Sequence, residues 1–392
     1  MKYIFLVGDG MADEALEELG HKTPLEAADI PHLRRLANEG TLGMCRTIPE
    51  GMPPGSDVAN LSLLGYNPAE FYTGRGPLEA ASIGIPLGSE DFAFRCNLVN
   101  IQKGVMKDYS AGHISTREAE EIIALLNGEL GDKTVHFYTG VDYRHICVLK
   151  GQYGSVRCTP PHDITDWSIK DHLPEGEGRD KVRFLMEGSK RILKKCETNR
   201  KRVEVGKLPA TQIWLWGQGR KPELPSLVDK FGVSGSVITA VDLVRGVGKL
   251  AGLEIVRVQG ATGFVDTNYE GKADAAMRSL EKKDFVFIHV EAPDEAGHLG
   301  DVELKVRAIE DFDHRLLGRI LDRMKDRYRI LAMPDHPTPV RIKTHSPDPV
   351  PFVLWGEGIE YNGMKDYSER EAEGSGLFIE QGYELIDLLF GH

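Results

Sequence analysis

The sequence predicts an α/β protein: a doubly wound, mostly parallel sheet with a second, smaller α/β domain inserted into it. Three observations predict this. Apolar strand runs alternate with amphipathic helices near the start of the chain and again after about residue 225. The middle, from about residue 90, changes to strands of alternating apolar and polar residues. Acid and His residues follow directly after several strand runs, the edge at which open α/β sheets bind ligands.

The elements follow in order. Tyr3 to Val7 is apolar throughout and reads as a central strand buried on both faces. PHLRRLAN, from Pro31 to Asn38, starts a helix closed by Gly40. The Pro- and Gly-rich loop PEGMPPGSD leads into ANLSLLGY, a helix whose N-terminus lies at or just before Asp57. Backbone N–H groups and the helix dipole favour an anion at such a position. In the middle, DFAFRCNLV, KTVHFYTG and YRHICVLK read as strands and TREAEEIIALLNGEL as a helix. The stretch from Thr159 to Gly178 is rich in Pro and acid, and DKVRFLMEGSKRILKKCE and TQIWLWGQGR read as helix and strand. Later, VSGSVITAV, LEIVRV, DFVFIHVEA, RYRILAMPDH and DPVPFVLWG read as strands. DLVRGVGKLAG, GKADAAMRSLEK and the long VELKVRAIEDFDHRLLGRILDRM read as helices. The outer segments therefore share one sheet, at 1–88 and 225–392, and 89–224 forms the insert. Its hinges are expected at Gly88–Glu90 and Lys221–Pro225.

Composition narrows the function. The chain has 392 residues and a net charge of −12, with no basic tract, so nucleic acid is not expected as a partner. A small anionic substrate is compatible with that charge, because local Arg and Lys override the global sign. The five Cys residues (Cys45, Cys96, Cys147, Cys158 and Cys196) are scattered and none forms CxxC. Buried thiols in a reducing compartment are expected, not a disulfide framework. MKYIFLVGDG turns from apolar run to glycine and acid too soon for a signal peptide. No run approaches the roughly 18 apolar residues of a membrane span. The expectation is a cytoplasmic protein that does not meet a membrane, with homo-oligomerisation left open.

The chemistry gathers in Asp and His. PDEAGH places Asp294 and His298 four positions apart, and PDHPTPVRIKTH holds Asp335, His336 and His345. Asp9 ends the first strand run. One acid after a strand is usually a helix cap. Acids after three strands, two with His nearby, are hard to explain as caps. They fit two divalent ions, one held by Asp294, His298 and His345, the other by Asp9, Asp335 and His336, each with an open position. His298 either shares a helical face with Asp294 or lies on a turn. His345 needs a loop that folds back, which Pro337, Pro339 and Pro347 make credible. His289, inside FVFIHVEA, reads as a satisfied core residue and not a ligand.

Ser56 is the candidate nucleophile. No Gly-x-Ser-x-Gly elbow surrounds it, so activation by a metal is the expected route. The plainer alternative is that Ser56 or Asp57 only caps the helix. Oxygens of a phosphate or carboxylate would need cations. Arg75 lies in the Gly-rich turn YTGRGPLEA, Arg144 in DYRH, Arg220 in GQGRKP, and His113 in the small-residue turn YSAGH. Each by itself reads more readily as a surface group, and only its place beside a strand or in a Gly turn raises it.

At this point the residues resemble a known family. GDG, PGSDVANLSLLGYNP, YTGRGPLEAASIG, EAPDEAGH, PDH and KTHSPDPVPF are similar to the archaeal-type, cofactor-independent phosphoglycerate mutases of the alkaline-phosphatase-like metalloenzyme superfamily. The resemblance runs from Gly8 to Phe352. It implies interconversion of 3-phosphoglycerate and 2-phosphoglycerate, a glycolytic and gluconeogenic isomerisation with no requirement for 2,3-bisphosphoglycerate. It implies two divalent ions, Mn most often, with Zn, Co or Mg as alternatives. By motif, one ion belongs to Asp9, Ser56, Asp335 and His336 and the other to Asp294, His298 and His345. Only the resemblance places Ser56 on a metal, as the acceptor of the phosphoryl group.

His113, Arg144 and Arg220 are the best matches for substrate contacts, with Arg75 beside them. The insert lacks a clear Gly-Arg-Asp motif, so the resemblance leaves the acid/base that carries the hydroxyl proton open, with Asp142 as one candidate. The resemblance also implies an insert that acts as a lid, excluding water from a phosphoserine. A metal-dependent phosphomonoesterase or another phosphosugar mutase of the superfamily shares the same metal core. A metal-dependent binding protein that has kept the fold is the non-enzyme alternative.

Overall fold

A computed structural model describes residues 1–325 and 327–391. It carries thirteen strands among these residues: β1 (Lys2–Gly8), β2 (Thr41–Cys45), β3 (Asp91–Gln102), β4 (Val105–Asp108), β5 (Val135–Val141), β6 (Arg144–Lys150), β7 (Gln212–Gly219), β8 (Gly235–Ile238), β9 (Glu254–Ile255), β10 (Phe285–Val290), β11 (Tyr328–Met333), β12 (Val350–Gly356) and β13 (Phe378–Ile379). The chain divides into two compact units, Met1–Tyr72 with Glu223–His392, and Thr73–Pro222.

The larger unit holds an eight-stranded sheet in the order β13-β2-β12-β11-β1-β10-β8-β9. β11, β1, β10, β8 and β9 run parallel, while β12 is antiparallel to both of its neighbours. β1 sits between β10 and β11, with Val7 in register with both His289 and Met333. Both faces of these central strands are buried, which is why they read as continuous apolar runs. Ile4, Leu6, Val286, Ile288 and Ile330 share one core cluster. Phe5 packs edge-on against Phe287 at 5.1 Å between ring centroids. The predicted strand LEIVRV is ordered as β9 only over Glu254–Ile255.

The long predicted helix after residue 302 is interrupted. Val302–Asp311 is α-helical, Phe312–Leu317 forms a π turn, and Gly318–Arg323 resumes the α-helix. The π turn serves a capping bond. Asp313, fully buried, accepts from the backbone N–H of His32 (3.1 Å) and Leu33 (2.7 Å) at the start of the helix Pro31–Glu39. That helix has no side-chain cap of its own.

The smaller unit is a five-stranded antiparallel sheet, order β4-β3-β6-β5 with β7 on the other side of β3. The helices Thr116–Leu130 and Arg179–Leu193 cover one face through Ile122, Leu126, Val182 and Leu185, which share a core with Phe94, Cys147 and Trp214. This unit begins at Thr73, earlier than the break expected at Gly88. The reason is the helix Arg75–Ser82, whose Ala80 joins Ala93, Ile146 and Val148 in a second small core on β3 and β6.

Candidate functional site

β1, β10 and β11 end side by side, and the chain leaves each with an acid. Asp9 follows β1, Asp294 lies in the helix Ala292–Leu299 after β10, and Asp335 follows β11. Asp9 N–H still bonds Val290 C=O at 2.9 Å, so its carboxylate is held at the sheet edge. Gly10 turns the chain away with φ +62°. A Cβ there would lie 2.7 Å from both the Asp294 backbone and its carboxylate, so only glycine admits this approach.

Two sets of donors result. In the first, His298 Nε2 stands 3.2 Å from Asp294 Oδ2, His345 Nε2 stands 3.4 Å from Asp294 Oδ1, and the two Nε2 atoms are 3.1 Å apart. The spacing of Asp294 and His298 is that of one helical face. His345 reaches them because its loop folds back, closed by Ser346 N–H to Pro337 C=O at 3.1 Å. In the second, His336 Nε2 lies 3.4 Å from Asp9 Oδ1 and 3.7 Å from Asp335 Oδ2. Ser56 Oγ lies 3.1 Å from the same Nε2.

Ser56 is the first residue of the helix Ser56–Leu63, and its hydroxyl makes no capping bond to that helix. Asp57, the second helical residue, takes up one first-turn N–H: one carboxylate oxygen accepts from Val58 N–H and the other from Tyr72 Oη. Asn60, one turn on, donates to both Ser56 C=O (2.9 Å) and Asp335 Oδ2 (2.8 Å), which fixes serine and acid relative to each other.

The imidazoles are oriented from behind. His298 Nδ1 bonds Lys343 C=O at 3.0 Å and His336 Nδ1 faces Pro337 C=O at 3.3 Å. Protons on these Nδ1 atoms leave the Nε2 lone pairs toward the carboxylates, as metal-ligating histidines require. Farther out, fully buried Lys305 donates to Ala12 C=O, Thr338 C=O and Asp13 Oδ2. It ties the segment after β1 to the segment after β11.

The electrostatics fit cations. Burial lifts the Asp9 carboxyl well above its ordinary value, with Asp335 and Asp294 adding repulsion. Burial also pushes Asp294 up, but its bonds to His298 and His345 outweigh that and hold it well below. Asp9 Oδ1 is buried without a hydrogen-bond partner. At this sheet edge, groups of three donors whose ligand atoms lie within 4.8 Å of one another are Asp294/His298/His345, Asp9/Asp294/His336 and Asp9/His289/Asp335; a fourth, His32/Asp313/His314, joins the helix Pro31–Glu39 to the π turn. Crowded buried carboxylates, orphaned oxygens and Nε2 lone pairs form the donor set of divalent metal sites.

His289 differs from its expectation. It is fully buried, yet neither ring nitrogen has a hydrogen-bond partner, so it is not a satisfied core residue.

The remaining candidates lie in the smaller unit. Arg75 begins the helix Arg75–Ser82, with Nε 3.1 Å from Glu79 Oε1. Arg144 opens β6 and lies over the Tyr143 ring. Arg220, after β7, bonds Gln152 at 3.0 Å and covers the Phe92 ring. His113 and Asp142 both have left-handed backbones, φ 49° and 54°. Asp142 Oδ1 accepts from Thr116 Oγ1 at 2.9 Å, linking the β5–β6 turn to the start of the helix after His113.

Sequence reasoning missed Arg95, which sits inside the apolar run of β3. Its Nε is 2.9 Å from Glu79 Oε2 and its guanidinium lies 4.3 Å from the Trp216 ring centroid. Burial lowers it to about 10; Glu79 opposes that shift, while Arg75 and Arg144 add to it. These three arginines therefore share one neighbourhood with Glu79. An Arg in a run otherwise apolar was the available signal.

A curated relative from Geobacter sulfurreducens, named a probable 2,3-bisphosphoglycerate-independent phosphoglycerate mutase, is 54% identical over 396 residues, covering 99% of both chains. The chain belongs to that family, a family of isomerases. The family description "2,3-bisphosphoglycerate-independent phosphoglycerate mutase" matches residues 37–199. A relative of that name from Methanothermobacter thermautotrophicus is 51% identical, over 99% of this chain and 97% of its own. Among solved structures, a protein from Pyrococcus horikoshii matches with a TM-score of 0.85 at 29% identity, covering 100% of this chain and 97% of that one. The cofactor-independent phosphoglycerate mutase of Thermoplasma acidophilum matches with a TM-score of 0.67 at 26% identity, over 100% and 99%. Among the described residues no helix is long and apolar enough to cross a membrane.

Proposed function

We propose that this mutase interconverts 3-phosphoglycerate and 2-phosphoglycerate through a phosphoryl group carried on Ser56. One observation carries the reading: Ser56 Oγ faces His336 Nε2 at 3.1 Å instead of capping its own helix. A hydroxyl turned to His336 and away from its own helix supports the role of a nucleophile, and the backbone N–H groups of that helix suit phosphate oxygens.

Two divalent ions belong to the proposal, Mn foremost, one on Asp9, Ser56, Asp335 and His336 and one on Asp294, His298 and His345. When bound, such ions supply positive charge to the serine oxygen and to the transferring phosphoryl group. Ser56 Oγ attacks phosphorus and loses its proton, and the substrate oxygen leaves and gains one. The other hydroxyl of the retained glycerate then takes the phosphoryl group back, so that no water is consumed. Positioning and electrostatics supply most of the acceleration, since the protein has little covalent chemistry to do.

Substrate binding is assigned to the smaller unit, 73–222. His113, Arg144, Arg220 and Arg75 are its proposed contacts and Asp142 its proton carrier. Arg95 joins them, since it shares Glu79 with Arg75. A cytoplasmic setting is part of the same reading and accords with the free thiols.

The test is incubation of purified protein and divalent ion with 3-phosphoglycerate, following 2-phosphoglycerate and inorganic phosphate together. Formation of 2-phosphoglycerate without matching phosphate release is expected. Phosphate release with no 2-phosphoglycerate would make the protein a phosphatase.

A further inference from the structure

β10 alternates Phe285, Phe287 and His289 on one face of the sheet with Val286, Ile288 and Val290 on the other. The third position of an aromatic series is thus an imidazole, fully buried, at the level of Val7 on the neighbouring strand. Both of its ring nitrogens lack hydrogen-bond partners. A buried polar group left in that state is destabilising, a cost an apolar residue would avoid. The cost is offset where the nitrogen has a different partner.

The surroundings of Nε2 name that partner. It lies 3.4 Å from Asp9 Oδ2 and 3.7 Å from Asp335 Oδ2. Neither contact closes as a hydrogen bond, and both ring nitrogens stay without one. The 3.4 Å separation matches that between neighbouring ligand atoms around one ion at about 2.1 Å, which stand about 3.0–3.5 Å apart, and the 3.7 Å separation lies just beyond it. Asp9 carries a second signal: its Oδ1, 3.4 Å from His336 Nε2, is also unpartnered. Two imidazole nitrogens therefore approach the same two carboxylates, one from the end of β11 and one from within β10.

We propose that His289 is a further ligand of the Ser56-side ion, through Nε2, alongside Asp9, Asp335, His336 and Ser56. This rests on the two-ion reading above. It makes that ion the more enclosed of the two, with two imidazoles against hard-ion preference, and so biases it toward a transition ion over Mg²⁺. It also explains why a polar residue stands where the pattern of β10 calls for a hydrophobic one.

The test uses the full chain, stripped with a chelator and titrated with Co²⁺. Bound ions are counted by metal analysis and calorimetry, and the visible Co²⁺ bands are recorded. Wild type is expected to bind two ions in separable steps. His298→Ala, which touches the other set, identifies the step that does not belong to His289. His289→Gln and the volume-conserving His289→Leu should weaken the remaining step by at least tenfold and change its Co²⁺ bands, with circular dichroism unchanged. Two variants guard against a single substitution that fails to fold.

Wild-type affinities and bands in both folded variants would overturn the assignment while leaving the two-ion reading intact. Weakened binding with unchanged bands would also overturn it, because His289 would then only orient the carboxylates. Wild type that binds no ion would overturn both.

Discussion

Ser56 Oγ and His336 Nε2 stand 3.1 Å apart, although the two residues belong to a helix start and a strand end at opposite ends of the chain. Asn60 locks the arrangement by bonding the carbonyl of Ser56 and the carboxylate of Asp335. The serine is thus positioned by the fold and has no packing role in the core. Ser56→Ala should lower isomerisation by at least about a thousandfold, because the group that accepts the phosphoryl is gone. The unfolding midpoint should move little. Steady-state turnover with 3-phosphoglycerate, together with a thermal melt, checks both halves; retained turnover would remove Ser56 from the mechanism.

Removing divalent ions should cost both activity and stability. Asp9, Asp294 and Asp335 are buried within one another's electrostatic reach, and Asp9 is pushed up by burial and by the other two. An ion that binds only the folded chain stabilises it by about 2.7 kcal/mol at a hundredfold excess over its Kd. Chelated protein should therefore melt lower, and Mn²⁺ should restore the melt in a concentration-dependent way. His298→Ala should recover only part of that gain. A melt insensitive to chelator would argue against ions at this edge.

Much of this site was legible because strand ends are legible. YIFLVGDG, FVFIHVEAPD and RILAMPDH each show an apolar run broken by acid, and parallel neighbours must bring such ends together. His345 needed only a loop that returns. His289 reads as a satisfied core residue because its strand is otherwise apolar, and only three-dimensional distances reveal the carboxylates its ring faces. Arg95 was hidden likewise within β3. Lys305 and Asp13 carry no signal in the sequence, since nothing local shows that both are sealed from water. The boundary at Tyr72–Thr73 escaped because the helix Arg75–Ser82 belongs by packing to strands that come after it.

The Lys305–Asp13 pair gives a stability prediction. Lys305 Nζ is 2.7 Å from Asp13 Oδ2 and neither side chain is exposed. Removing one member of a buried pair strands the other, at a cost of about 3–5 kcal/mol. Lys305→Met should show that loss in denaturant unfolding and should also weaken ion binding, since Thr338, which bonds Asp294, loses its tether. Lys305→Met combined with Asp13→Leu should be more stable than Lys305→Met alone. A double variant no better than the single would mean the backbone bonds to Ala12 and Thr338 dominate.

Glu369 sets a pH dependence outside the metal cluster. Burial raises its carboxyl from 4.5 to about 7, against hydrogen bonds from Thr23 Oγ1 (2.7 Å) and Asp13 N–H (3.1 Å) that favour the charged form. Below about pH 4.5 the group is neutral in the folded and unfolded chain alike. Between about 4.5 and 7 the folded chain keeps the proton that the unfolded chain gives up, so the folded state binds more protons and stability falls as pH rises. Above about 7 both states are ionised and the loss is complete. The residue is only partly buried, so the loss is on the order of 1–2 kcal/mol, smaller than the full shift would give. Glu369→Gln cannot titrate. Its stability measured at pH 8 relative to pH 5 should exceed that of wild type by this amount in urea unfolding. An identical pH profile in the variant would mean that the Thr23 and Asp13 bonds hold the carboxylate charged throughout the range.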